Sequence, residues 1–166
     1  FRIIDYKSSE RSLNLEQVYY GLSLQLILYA EVVEQQSIEW FGHPHKFAGV
    51  FYYPIRDLVK QVDAPTPIRE VERTKRKALR MKGLILREPK LVSLLDRKNA
   101  VADDLFPVLL KKDGQFKRSV QTVDDKEWEA LKHHAKHLAV SFMNRVRKGD
   151  TVIAPYRYKK NTACQH

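Results

Sequence analysis

The chain has 166 residues, 43% of them hydrophobic, which is enough for one compact domain with a core of its own. Thirty Lys and Arg against twenty Asp and Glu leave a formal net charge of +10, a balance that favours a polyanionic partner such as nucleic acid and says nothing about fold. No apolar run approaches the ~18 residues of a membrane span, no signal peptide is visible, and a lone cysteine, Cys164, excludes an internal disulfide.

The first nine residues, Phe1-Arg2-Ile3-Ile4-Asp5-Tyr6-Lys7-Ser8-Ser9, read as a strand that ends in an acid, an aromatic, a base and two hydroxyls. Side chains alternate along a strand, so Asp5 and Lys7 leave one face while Ile4 and Tyr6 take the other. A start on a strand without Met, together with Cys164 close to the other end, points to a piece of a larger protein. Next, Asn14 is suited to cap a helix, with Glu16 in its first turn, and the spacing predicts one long helix from Leu15 to Gln36. Its apolar face would run through Leu15, Val18, Tyr19, Leu22, Leu26, Tyr29, Ala30 and Val33. Gln25 interrupts that face, and Tyr29 lies one turn above it. The pair is either a satisfied core amide with a neighbour, or a polar pair pointing to where Asp5 and Lys7 emerge.

Trp40 to His45 makes a turn, in which His43 and His45 are spaced to bind a metal but read more simply as a surface loop. Lys46 to Tyr53 predicts a second strand that Pro54 ends or marks as an edge. A rigid Pro-containing linker leads into a helix from Ile68 to Met81. The stretch Arg69 to Lys82 carries seven basic and two acidic residues, either a solvated face or a phosphate contact. Gly83 reads as the left-handed cap of that helix, and a short helix near Lys90 to Asp96 follows. Asp113-Gly114 between the apolar runs Leu105 to Leu110 and Phe116 to Val120 is a hairpin signal. Asp124-Asp125 opens a final helix from Lys126 to Arg147, striped by Trp128, Leu131, Ala135, Leu138, Phe142 and Val146; His133 and His137 are one turn apart and spaced to chelate a metal, but read more simply as its wet face. Gly149-Asp150 stops it before a basic, aromatic tail. The order predicts an α/β (α+β-like) fold: a small mixed sheet flanked by helices, in a single domain over 1–166.

Phosphodiester hydrolysis needs a metal-activated water and stabilisation of charge on the phosphate. An Asp at a strand end and a Lys two residues on can serve those needs, or can form a plain ion pair. The string Ile3-Ile4-Asp5-Tyr6-Lys7-Ser8-Ser9, followed by Val18-Tyr19-Tyr20-Gly21-Leu22-Ser23-Leu24-Gln25-Leu26, is far more specific. It resembles the C-terminal nuclease domain of the AddB family, components of the bacterial ATP-dependent (ATP-binding) helicase/deoxyribonucleases. The likeness continues through Lys82-Gly83-Leu84-Ile85-Leu86, Pro107 to Gly114, and Ile153-Ala154-Pro155-Tyr156 leading to Cys164.

That resemblance implies a RecB-type PD-(D/E)XK restriction-endonuclease-like core, only part of which is present. It implies that Asp5 is a ligand for Mg2+, Lys7 the catalytic lysine, and Gln25 and Tyr29 a pair that lines the site and contacts DNA. Cys164 would be one of four cysteines of a 4Fe–4S cluster. A second acidic ligand and the other three cysteines would lie outside the chain, so the isolated chain is expected to hold no cluster and to have little nuclease activity. The implied setting is a cytoplasmic complex with the AddA helicase/nuclease, acting on DNA as a 5′→3′ exonuclease on single strands during double-strand-break repair and recombination. The alternatives are another RecB-like nuclease of the Cas4 type, or a non-catalytic DNA- or partner-binding module in which Asp5 and Lys7 are only an ion pair.

Overall fold

The structure, a computed structural model, describes residues 1–55, 66–95, 111, 114–116, 120–152, 157–158 and 161–162. A mixed sheet forms its centre, in the order β1 (Arg2–Lys7), β2 (Gly49–Pro54), β3 (Lys82–Leu86), β4 (Gln121–Val123). The β1–β2 and β3–β4 pairs are parallel and β2–β3 is antiparallel. Parallel neighbours require a long crossover, and between β1 and β2 the chain supplies α1 (Leu15–Tyr19) and α2 (Gln25–Phe41). After β2 come α3 (Ile68–Ala78) and α4 (Pro89–Leu95), one on each side of β3 in the chain, and α5 (Asp125–Arg147) follows β4. A two-residue ribbon, β5 (Arg157–Tyr158) with β6 (Asn161–Thr162), lies in the tail.

The larger core packs one face of the sheet (Val50, Tyr52, Leu84, Leu86) against Leu26, Ile27 and Ala30 of α2 and Trp128 and Ala135 of α5. Phe47 stacks on Trp128 with ring centroids 3.7 Å apart, which ties the entrance of β2 to α5. On the opposite face Ile4, Phe51 and Ile85 form a second cluster with Met81, Phe116 and Val120, while Tyr6 meets Tyr53 edge to face. The alternation expected along β1 is therefore realised.

Two predicted boundaries hold for the reasons the sequence offers. Asn14 Oδ1 accepts from the main-chain N–H groups of Glu16 and Gln17 at the start of α1. Asp124 and Glu127 form a reciprocal capping box at the start of α5. Gly42 closes α2 in the left-handed conformation, and Gly149 (φ 70°) follows α5.

Three expectations are overturned. The helix predicted from Leu15 to Gln36 is two helices: the chain turns at Gly21 (φ 79°), beside the Phe142 ring, where any Cβ would come within 2.6 Å of that ring. The break turns Tyr19, Leu22 and Tyr29 toward solvent and carries α2 on to Phe41. Gly83 is not a helix cap. It lies inside β3 opposite Phe51, and α3 ends earlier, at Ala78. A Cβ on Gly83 would stand 1.8 Å from the Val50 carbonyl oxygen, so the residue type answers to close strand approach rather than to a turn. The stripe on α5 is buried only through its first half, and Val146 is 73% exposed. At the predicted hairpin turn, Lys111 N–H donates to the Gln115 carbonyl and Gly114 has φ 78°, while residues 112–113 lie outside the described residues. Its flanking runs fall mostly outside the described residues.

Candidate active site

β1 delivers Asp5 and Lys7 to the helix-covered face of the sheet, and in register with Asp5 on β2 stands Tyr52. Lys7 Nζ lies 2.9 Å from Asp5 Oδ2, 3.3 Å from the Gln25 Oε1 it donates to, and 5.6 Å from the centre of the Tyr52 ring. Gln25 in turn donates from Nε2 to Tyr29 Oη at 3.0 Å. One polar chain thus runs Asp5–Lys7–Gln25–Tyr29 across two elements that are far apart in sequence. All four residues singled out from sequence for the site are brought together.

The position of Gln25 differs from expectation. It is the first residue of α2 rather than an amide inside an apolar turn, and it is exposed. The break after α1 is what frees it: a continuous helix would have carried Gln25 in mid-span, whereas the turn at Gly21 starts a new helix with Gln25 at the cleft. Ser23, in that same turn, sits with its hydroxyl 3.4 Å from Tyr52 Oη, which fixes the tyrosine that flanks Lys7.

Asp5 Oδ2 is fully buried and receives no well-aligned hydrogen bond, despite the nearby ammonium. A buried carboxylate oxygen with unspent lone pairs fits a hard divalent cation, which takes oxygen ligands. Among the described residues no three His, Cys, Asp or Glu come together as a metal site. The donor set of these residues therefore fits one ligand position of such an ion. Neither histidine pair belongs to a larger donor group: the rings of His43 and His45 stack on each other, and His133 and His137 are exposed on α5. Cys164 lies outside the described residues; as the only cysteine of the chain it can supply at most one of the four thiolates of a 4Fe–4S cluster.

Sequence reasoning missed two features around the site. A cleft of about 360 Å³ opens beside Lys7 and is lined by Ser8, Ser9, Arg11, Ser12, Gln25 and Tyr52, among others. The signal for it is the polar segment after the strand end, Ser8-Ser9-Glu10-Arg11-Ser12. Behind the site, Lys132 of α5 is only 8% exposed and reaches Glu34 at 2.6 Å, Glu129 at 2.7 Å and Glu31 at 3.6 Å. Burial alone pulls its ammonium down, and the hydrogen bonds to Glu129 and Glu34 outweigh that and hold its pKa above the ordinary lysine value. No described helix is long and apolar enough to cross a membrane.

The first strand of the sheet ends in Asp5-x-Lys7 and is faced by a helix that carries Gln25-x-x-x-Tyr29. The sequence profile of the PD-(D/E)XK nuclease superfamily matches residues 1–166, and the chain belongs to that superfamily. Among curated proteins it is similar to AddB of the ATP-dependent helicase/deoxyribonuclease of Bacillus thuringiensis (strain Al Hakam), 36% identical over 98% of this chain. The AddB proteins of Desulforudis audaxviator (strain MP104C) and Bacillus subtilis (strain 168) are each 34% identical over 99% of this chain. The chain spans 14% of the length of these relatives.

Proposed function

We propose that this chain carries one side of the nuclease site of a helicase–nuclease component that processes broken DNA in the cytoplasm. The observation that supports it best is the Asp5–Lys7–Gln25–Tyr29 chain, because its lysine is held between a carboxylate and an amide rather than left to solvent. In this reading Asp5 is a magnesium ligand, and magnesium, when bound, supplies an acidified water and neutralises charge on the phosphate. Lys7 offsets the negative charge that builds on the phosphate oxygens. Gln25 holds the ammonium in place, and Tyr29, half exposed beside it, contacts the strand. A second acidic ligand comes from outside the 166 residues, so the isolated chain binds metal weakly and cleaves little.

By the resemblance of the sequence, the reaction is exonucleolytic, 5′→3′ on single strands, with AddA as the partner and a 4Fe–4S cluster to which Cys164 contributes. The test is made in the full-length protein together with its helicase partner. Asp5→Ala should remove one polarity of strand degradation, by at least ~100-fold, while leaving single-strand binding within about twofold. Retention of both polarities at the parent rate would instead support a binding module in which Asp5 and Lys7 are only an ion pair.

A further inference from the structure

The cleft beside Lys7 holds groups that the Asp5–Lys7–Gln25–Tyr29 chain does not use. Past Lys7 its wall continues through Ser8, Ser9, Arg11 and Ser12. Among the described residues the Arg11 guanidinium makes no hydrogen bond or ion pair, and the hydroxyls of Ser8, Ser9 and Ser12 make no hydrogen bond. The adjacent acid does not neutralise Arg11, because the Glu10 carboxylate is bound to Lys82 of β3. At the start of α1 the main-chain N–H groups of Glu16 and Gln17 are already taken by Asn14. Asp5, which pairs with Lys7, is not part of the lining. Among the described residues the lining holds an unspent guanidinium, three unspent hydroxyls and no carboxylate, which suits the oxygens of a phosphodiester, since they accept and never donate.

We propose that this cleft is a backbone subsite, in which Arg11 with Ser8, Ser9 and Ser12 grips a phosphate adjacent to the scissile one on the same strand. The subsite rests on the nuclease reading above and deepens it: gripping the neighbouring phosphate sets the scissile linkage against Asp5 and Lys7. Arg11 is then a positioning residue, since the phosphate it holds does not react.

The test uses the full-length protein and single-stranded oligonucleotides carrying one uncharged methylphosphonate linkage. The activity followed is the part that Asp5→Ala removes. With the parent protein, cleavage of a linkage should slow about tenfold when its neighbour is the uncharged one. Arg11→Ala should slow cleavage of unmodified DNA by a similar factor and lose that sensitivity to the neighbour, and Arg11→Lys should recover part of the rate. Without divalent metal, Arg11→Ala should also weaken oligo-dT binding and lower the magnitude of its log–log salt slope by about 0.7. If Asp5→Ala removes no activity, the nuclease reading fails, and the salt slope alone then decides whether Arg11 meets a phosphate. If Asp5→Ala is inactive while Arg11→Ala cleaves at the parent rate, or stays equally sensitive to the uncharged neighbour, the subsite is overturned and the nuclease reading stands.

Discussion

Lys132 shows how one side chain ties the helices together behind the site. It is the buried cation among Glu31 and Glu34 of α2 and Glu129 of α5, and Glu34 also accepts from the Trp128 indole at 3.3 Å. Removing the ammonium leaves the partly buried carboxylates of Glu31 and Glu34 with weaker support, from Gln35 and Lys136 on Glu31 and from the Trp128 indole on Glu34. Lys132→Met is therefore expected to destabilise the protein by about 2–3 kcal/mol at pH 7, measured by urea unfolding. Because the folded-state pKa is raised by the hydrogen bonds to Glu129 and Glu34, this contribution is complete below the ordinary lysine value and is lost as pH rises from there through the folded value. The gap between parent and variant should consequently narrow as the pH is taken above the ordinary lysine range, and a gap independent of pH would point to lost packing rather than lost charge.

At the level of elements, β3 is where local pattern and tertiary structure part most clearly. Lys82-Gly83 after a basic helix has the local form of a helix end, yet β2 is available to pair, and the antiparallel register puts Gly83 against the Val50 carbonyl. Only a residue without Cβ allows that approach. Gly83→Ala must push β2 and β3 apart and should lower Tm by about 6–12 °C, the equivalent of roughly 3 kcal/mol. A Tm within about two degrees of the parent would contradict the close pairing. Since β2 also carries Tyr52 beside Lys7, the variant should lose activity together with stability.

For the molecule as a whole, the excess of ten positive charges is unevenly placed. α3 buries none of its residues and presents Arg69, Arg73, Lys75, Arg76 and Lys77 to solvent. Such a face acts on a polyanion over a Debye length rather than through fitted contacts. Charge reversal at Arg73 and Lys77 should slow association with single-stranded DNA several-fold at ~50 mM salt and much less at ~200 mM, as read by stopped-flow fluorescence, without changing Tm. An equal effect at both salt concentrations would argue against an electrostatic role for this face.

Much was legible in the sequence because it depends on neighbours in the chain. The Asp5–Lys7 alternation, the Asn14 and Asp124 caps, α5 and the basic surplus all follow from strand and helix period, cap chemistry and composition. The Asp5-x-Lys7 and Gln25-x-x-x-Tyr29 strings carried the family resemblance as well. Tertiary structure alone decided the rest: that Gly21 must turn beneath Phe142 and so bring Gln25 to the head of a new helix, that Gly83 belongs to a strand, that Lys132 is buried, and that Arg11 lines a cleft with no partner among the described residues. Each of these depends on a group tens of residues away (Phe142, Val50, Glu34, or the Lys82 that takes up Glu10), and periodicity within one segment carries no information about what packs against it.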